Sequence, residues 1–230
     1  MVPGLLGKKL GMTQLWDDKE AVRPATLIEL GPCVVLQVKT AEKDGYSALQ
    51  LGFDDKPFRR KHGKGERRRT VERRGASRPE LGHARAANAT PKRFVREVRV
   101  APGHDYTLGQ QLTVELFNGV THVDIVGTTK GKGFQGTVKR HRFTRGAETH
   151  GSMNVRQPGS IGGSSWPSRV FPGTRMSGHM GDDRHTEQNV RVLEVDPDRN
   201  LLIVNGAVPG ATGGYVVVVP GARMLARKKA

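Results

Sequence analysis

A single cysteine, Cys33, occurs in 230 residues, so no internal disulfide can form and no thiol-based zinc site can be assembled. Cys33 lies in the run Pro32-Cys33-Val34-Val35-Leu36 and is expected to act as a small buried hydrophobe. Long apolar stretches are missing as well. No window approaches the roughly 18 residues that a membrane span needs, and Met1–Lys9 lacks the apolar core of a signal peptide. These absences predict a reduced, cytoplasmic protein with no membrane partner. Acidic residues are also few. Against 38 Lys and Arg stand 22 Asp and Glu, a net charge of +16 and a pI near 10.5. Such an excess adds self-repulsion to a folded chain, and a polyanionic partner is the simplest compensation. Nucleic acid comes first, an anionic membrane surface second.

What is present suffices for a fold. Apolar residues make up 35% of the chain, and 30 glycines bring the total into the ordinary globular range. The length suits one domain, or one domain carrying a large insertion. The charge is unevenly placed. Residues 59–74 hold nine basic and two acidic residues, residues 127–181 hold nine and one, and the tail 223–230 adds four basic residues. The remainder is nearly neutral. The pattern predicts a body with cationic projections: 1–126 and 182–222 as the body, a basic insertion at about 54–93 within it, a loop over 127–181 and a basic tail over 223–230.

The neutral parts read as β-structure. Short apolar runs at Met12–Trp16, Ala25–Leu30, Val34–Val38, Tyr46–Phe53, Phe94–Val100, Leu112–Phe117, Thr121–Val126, Val190–Val195, Leu201–Val204 and Tyr215–Val219 alternate with turn signals such as Gly31-Pro32, Asp44-Gly45 and Asn118-Gly119. Many short strands predict a mainly β chain, a small barrel or sandwich. One or two short helices are expected, at Pro79–Ala89 and Phe134–His141. The 127–181 segment differs in kind: 12 glycines, three prolines and only isolated apolar residues. It cannot bury enough surface to fold alone, so order is expected only inside RNA.

Several motifs suggest enzymes and fail on inspection. Gly131-Lys132-Gly133-Phe134-Gln135-Gly136 fits G-x-G-x-x-G, but no βαβ unit or downstream acidic residue accompanies it. The kinase signatures V-A-I-K, H-R-D and D-F-G are missing, and Gly133 stands where a Walker loop needs Ser or Thr. His141, His150, His179 and His185 lack ligand spacing, so no metal site is expected. Ser152, His150 and Asp182 make a triad only on paper, with no nucleophile elbow. No enzymatic activity, cofactor or small-molecule substrate is predicted.

The same residues make sense as an RNA surface. Glycines let the backbone approach phosphates closely, and Lys130, Lys132, Lys139, Arg140, Arg142, Arg145, Arg156, Arg169 and Arg175 supply the charge. His141, His150 and His179 are expected to hydrogen-bond to RNA or stay exposed. Trp166 has two open readings, stacking on a splayed base or packing against the body. Arg59, Arg60, Lys61, Arg67, Arg68 and Arg69 would form a second phosphate-contacting surface. An architectural DNA-binding protein is the remaining alternative.

Beyond these features, several blocks resemble one family. Gly4-Leu5-Leu6-Gly7-Lys8-Lys9-Leu10-Gly11-Met12-Thr13, Val123–Phe134 followed by Gly136-Thr137-Val138-Lys139-Arg140, Thr149-His150-Gly151, Pro158–Gly162, Arg175–Gly181 and Gly206–Gly210 are similar, in this order, to bacterial-type ribosomal large-subunit protein three. The resemblance implies a closed six-stranded β-barrel of the translation-protein type and a long irregular basic extension over about 127–181. That extension would run into ribosomal RNA toward the peptidyl transferase centre. It also implies early assembly near the 3′ end of the large-subunit RNA, and neighbours such as large-subunit proteins fourteen and nineteen. Gly162 to Trp166 would lie nearest the active centre. Ser165 stands where some members carry a methylated glutamine, so that modification should be absent and Trp166 would fill part of the space. The 59–74 run is longer and more basic than the family pattern.

Overall fold

The computed structural model describes residues 3–16, 21–56 and 75–222. The expected contacts of Arg59, Arg60, Lys61, Arg67, Arg68 and Arg69, and of the 223–230 tail, lie outside the described residues. By internal packing the chain divides into two units, Met1–Thr128 with His185–Ala230, and Thr129–Arg184.

The first unit is mainly β, as predicted. Its strands are β1 (Leu5–Trp16), β2 (Val22–Leu30), β3 (Cys33–Lys39), β4 (Ala48–Asp55), β5 (Lys92–Arg99), β6 (Gln111–Leu112) and β7 (His122–Thr128). In the second unit lie β8 (Phe134–Gln135) and β9 (Gly178–His179), after which come β10 (Arg184–Asp196), β11 (Leu201–Asn205) and β12 (Tyr215–Pro220). Six strands form a ring in the order β1-β12-β7-β10-β11-β2, and β2 returns to pair antiparallel with β1. A separate four-stranded sheet, order β5-β4-β3-β6, was not foreseen.

Alternation builds the core. Val123 and Ile125 of β7 and Val216 and Val218 of β12 point inward, while their neighbours are half-buried, the period-two signature of a strand with one buried face. These residues join Leu5, Leu6, Ile28, Leu30, Leu202 and Val204 of the ring and Val35, Leu49, Leu51 and Phe53 of the second sheet in one continuous cluster. Cys33 is fully buried in it, donates to the Leu6 carbonyl at 3.3 Å, and burial pushes its thiol up to about 12.

β1 begins seven residues before the expected Met12, because its first half earns strand geometry by pairing rather than by pattern. Leu5–Lys8 pair with β12 and Gly7–Trp16 with β2. Gly7 is required there: a Cβ would stand 2.5 Å from the Glu29 carbonyl oxygen. Lys9 is buried, its ammonium donating to the carbonyls of Val208 at 2.8 Å and Gly210 at 3.3 Å. A buried lysine costs free energy unless its donors are used. Here they anchor the Gly206–Gly210 turn to β1.

Three sequence expectations need correction. Leu112–Phe117 is not a strand. After the two-residue β6 it forms a 3-10 turn, Val114–Phe117, that buries Val114 and Phe117. The segment Phe134–His141 is helical only from Thr137 (α3, Thr137–His141), since Phe134–Gln135 is β8. Helices number more than the one or two expected, because Ala41–Asp44 makes a single turn, α1, before the left-handed Gly45.

Helix α2 (Arg78–Ala86) was anticipated, and its start is well specified. The Ser77 backbone N–H donates to Glu80 Oε2 at 2.8 Å and the Glu80 backbone N–H donates back to the Ser77 side chain, the reciprocal geometry of a capping box, while Lys56 Nζ adds a bond to Glu80 Oε1 at 2.7 Å. The Lys56 ammonium and the Ser77 N–H hold the Glu80 carboxyl down from the usual 4.5 to about 2. A depressed acid stabilises the fold above its unfolded value, and that contribution is lost as pH falls from about 4.5 through about 2. In Glu80→Gln the acid-side slope of stability against pH should therefore be shallower than in wild type. Urea unfolding followed by circular dichroism at stepped pH would show it, and identical slopes would remove this role from Glu80.

Candidate nucleic-acid interface

The second unit starts from a short antiparallel ladder. Thr129 N–H donates to the Asp183 carbonyl at 2.9 Å, Lys132 N–H to the Met180 carbonyl at 2.8 Å and Met180 N–H to the Gly133 carbonyl at 3.0 Å, after which Phe134 pairs with His179 and Gln135 with Gly178. Gly133 and Gly181 both adopt positive φ, 68° and 76°. At Gly181 a Cβ would strike the Lys130 carbonyl, so this crossing needs glycine on two grounds. The segment expected to be structureless is therefore ordered at its base by backbone bonds. Within 129–184 only Thr137 is buried, so the unit has no apolar core.

Beyond the ladder, Gly136 caps the N-terminus of α3 and Arg142, at φ 58°, ends it. Arg140 Nη1 and His141 Nε2 both donate to the Met176 carbonyl, at 2.8 and 3.0 Å. These two predicted RNA ligands are half-buried and spend donors on the unit's own backbone. That role escaped sequence reasoning because Met176 lies 36 and 35 residues away. Further along, Gly146 N–H donates to the Val155 carbonyl at 3.0 Å and Arg145 pairs with Glu148. The Arg169 guanidinium lies over the Phe171 ring, 5.6 Å from its centre.

The other predicted residues are placed in the open. Lys130, Lys132, Lys139, Arg142, Arg145, His150, Arg156, Ser165, Arg169, Arg175 and His179 are exposed. Trp166 is 86% exposed. Among the described residues no carboxylate pairs with Lys130, Lys132, Lys139, Arg142, Arg156, Arg169 or Arg175. Ten basic and three acidic residues fall within 129–184.

Part of the first unit's charge is paired. Lys39 pairs with Glu97, Lys56 with Glu80 and Lys92 with Asp55, each at 2.7 Å. Hydrogen bonds from Lys92 and Thr90 hold the Asp55 carboxyl below the usual range, and the Lys39 ammonium does the same for Glu97. Such surface pairs add little stability, but they consume charge. Among the described residues, the seven cations of the second unit named above meet no carboxylate, whereas these three lysines of the first unit do.

No group of three or more His, Cys, Asp or Glu among the described residues could hold a metal ion, and no described helix is long and apolar enough to cross a membrane.

A family model for ribosomal protein L3 matches residues 99–206, which span the second unit and strands on either side. The chain is 49% identical over 223 residues to the large ribosomal subunit protein uL3 of Pelotomaculum thermopropionicum, covering 97% of this chain and 99% of that one. This chain belongs to the uL3 family. Its likeness to the uL3 proteins of Acidothermus cellulolyticus (46% over 228 residues, 99% and 96% covered) and Corynebacterium jeikeium (46% over 218 residues, 94% and 93% covered) is of the same order. The uL3 family consists of structural ribosomal proteins, not enzymes. In a uL3 chain the Gly131–Gly136 loop needs no nucleotide to explain Gly133, which takes a positive φ in the ladder itself.

Proposed function

We propose that this chain is a structural constituent of the large ribosomal subunit that binds large-subunit ribosomal RNA directly, near the RNA's 3′ end, and nucleates early assembly. The 129–184 unit is the RNA-penetrating element and buttresses the peptidyl transferase centre, with Gly162 to Trp166 nearest to it. The six-stranded ring is a barrel of the translation-protein type, and large-subunit proteins fourteen and nineteen are its neighbours. The particle is cytoplasmic.

One observation carries this reading: seven exposed cations share one coreless unit with no carboxylate beside them. Charge of one sign without carboxylate partners repels itself, and a phosphate backbone supplies anions at regular spacing that offset it. Lys130, Lys132, Lys139, Arg142, Arg156, Arg169 and Arg175 contact phosphates, with Arg145 joining them if it exchanges Glu148 for RNA. Arg140 and His141 position the ribbon and add whatever donors remain. His150, Ser165 and His179 supply hydrogen bonds, and Trp166 stacks on a splayed base. The basic run from Arg59 to Arg69 adds a second phosphate surface.

Binding of the full chain to folded large-subunit RNA and to duplex DNA, at one fixed salt concentration, tests the assignment. RNA should be preferred, and log affinity should fall against log salt with a slope of at least roughly −5 to −6 from the seven cations of the 129–184 unit, about 0.7–0.9 per neutralised phosphate, and more steeply with the Arg59–Arg69 run engaged. Equal affinity for DNA would favour an architectural DNA-binding role. Saturable nucleoside-phosphate binding that persists at high salt would overturn the structural role.

A further inference from the structure

The ribbon formed by β8 and β9 has one covered face and one open face. On the covered side Gln135 pairs with Gly178, and the Arg140 guanidinium lies against that glycine, so that a Cβ there would stand 2.8 Å from Arg140 Nη1. Arg140 is held in place by the Met176 carbonyl at 2.8 Å. Side chains alternate along a strand, so the neighbouring pair, Phe134 and His179, projects to the opposite side, with both rings on one face.

That face is unusual for a folded protein. Phe134 is 75% exposed and His179 is exposed too, while the ribbon turns its glycine inward. Folding gains nothing from a phenyl ring in that position. The backbone around it is open: nothing would lie within 4 Å of a Cβ at Gly133 or Gly136. Lys130 and Lys132 are exposed just before the ring, without a carboxylate partner. A flat apolar face fixed on a paired strand, beside bare backbone and free ammonium groups, matches a nucleotide. The base would lie on the ring and its phosphate would meet the lysines. A protein partner would need a wider apolar surface than one isolated ring supplies.

We propose that Phe134, with His179 opposite it, is a stacking site for an unpaired base of large-subunit ribosomal RNA. The inference rests on the RNA-binding function proposed above and adds to it a contact that reads bases by their flat faces rather than by charge.

Affinity of the full-length chain for large-subunit RNA, measured across a salt series, separates the possibilities. Phe134→Ala should weaken binding about five- to hundredfold, in keeping with the loss of one stacked base. The log affinity against log salt slope should be unchanged, since no charge is removed. Phe134→Tyr should bind as wild type, and Phe134→Leu should be as weak as Phe134→Ala because it keeps the apolar bulk without the flat ring. If Phe134→Leu binds as well as wild type, the site is a simple apolar contact and stacking is wrong. If Phe134→Ala is unaffected while neutralising the cations of the same unit does weaken binding, the stacking site alone falls. If neither change matters, RNA binding by this unit falls with it. Should Phe134→Ala lower the unfolding midpoint, the Tyr and Leu variants still decide the question.

Discussion

Replacing Lys130, Lys132, Lys139 and Arg142 together by glutamine should lower affinity for large-subunit RNA by about three orders of magnitude near 0.1 M salt, a loss that shrinks as salt rises. All four are exposed and none has a carboxylate partner among the described residues. The fold should therefore survive the exchange, and glutamine preserves length and hydrogen-bonding capacity. Each lost phosphate contact removes about 0.7–0.9 from the steepness of the salt dependence, so the slope should flatten by roughly 3. Filter binding or fluorescence anisotropy across a salt series reads both quantities. An unchanged slope would mean that these groups do not neutralise phosphates. Arg140 and His141 are left out deliberately: both bind the Met176 carbonyl, and losing them would confound binding with folding.

The second large effect lies in the core. Phe117 is fully buried at the end of the 3-10 turn, in the cluster that joins the ring to the second sheet. Phe117→Ala should cost about 3–5 kcal/mol, the usual loss when a buried phenyl leaves a cavity. That is a large share of the stability of an ordinary domain. Chemical denaturation of the purified protein would measure it. A loss below about 1 kcal/mol would mean that the turn is not fixed by this side chain.

That turn also shows where sequence reasoning stops. Val114 and Phe117 bracket two residues, and apolar groups at such spacing suit a strand end or a tight turn equally well. The outcome depends on β6, which pairs only Gln111 and Leu112 with β3 before the chain turns away. Strands such as β7 and β12 were legible because their alternation is local and clean. The first half of β1 was not, since Leu5-Leu6-Gly7-Lys8-Lys9 shows no alternation and becomes a strand only between two partners. The start of β10 was missed for the same reason. Arg184–Asn189 is polar throughout, and its strand geometry is not written in hydropathy.

Charge was the most readable property of the candidate interface. The cations of 129–184 were evident as a block, and the structure leaves most of them exposed. What composition could not tell was which of them the unit uses for itself. Arg140 and Lys139 look alike in sequence, yet one is tied to a carbonyl 36 residues on and the other is exposed. Glycines posed the same difficulty: Gly181 is fixed by a backbone crossing at Lys130 that no local pattern announces.

The bonds between Thr129 and Asp183, at 2.9 and 3.2 Å, have a further consequence. They bring the two ends of the insertion together, so the strands before and after it meet the same boundary whatever lies between. Residues added to or trimmed from the far end alter a loop whose closure is already settled, at an entropic cost that grows only slowly with length. The length of the insertion can therefore change without renegotiating the architecture at its root.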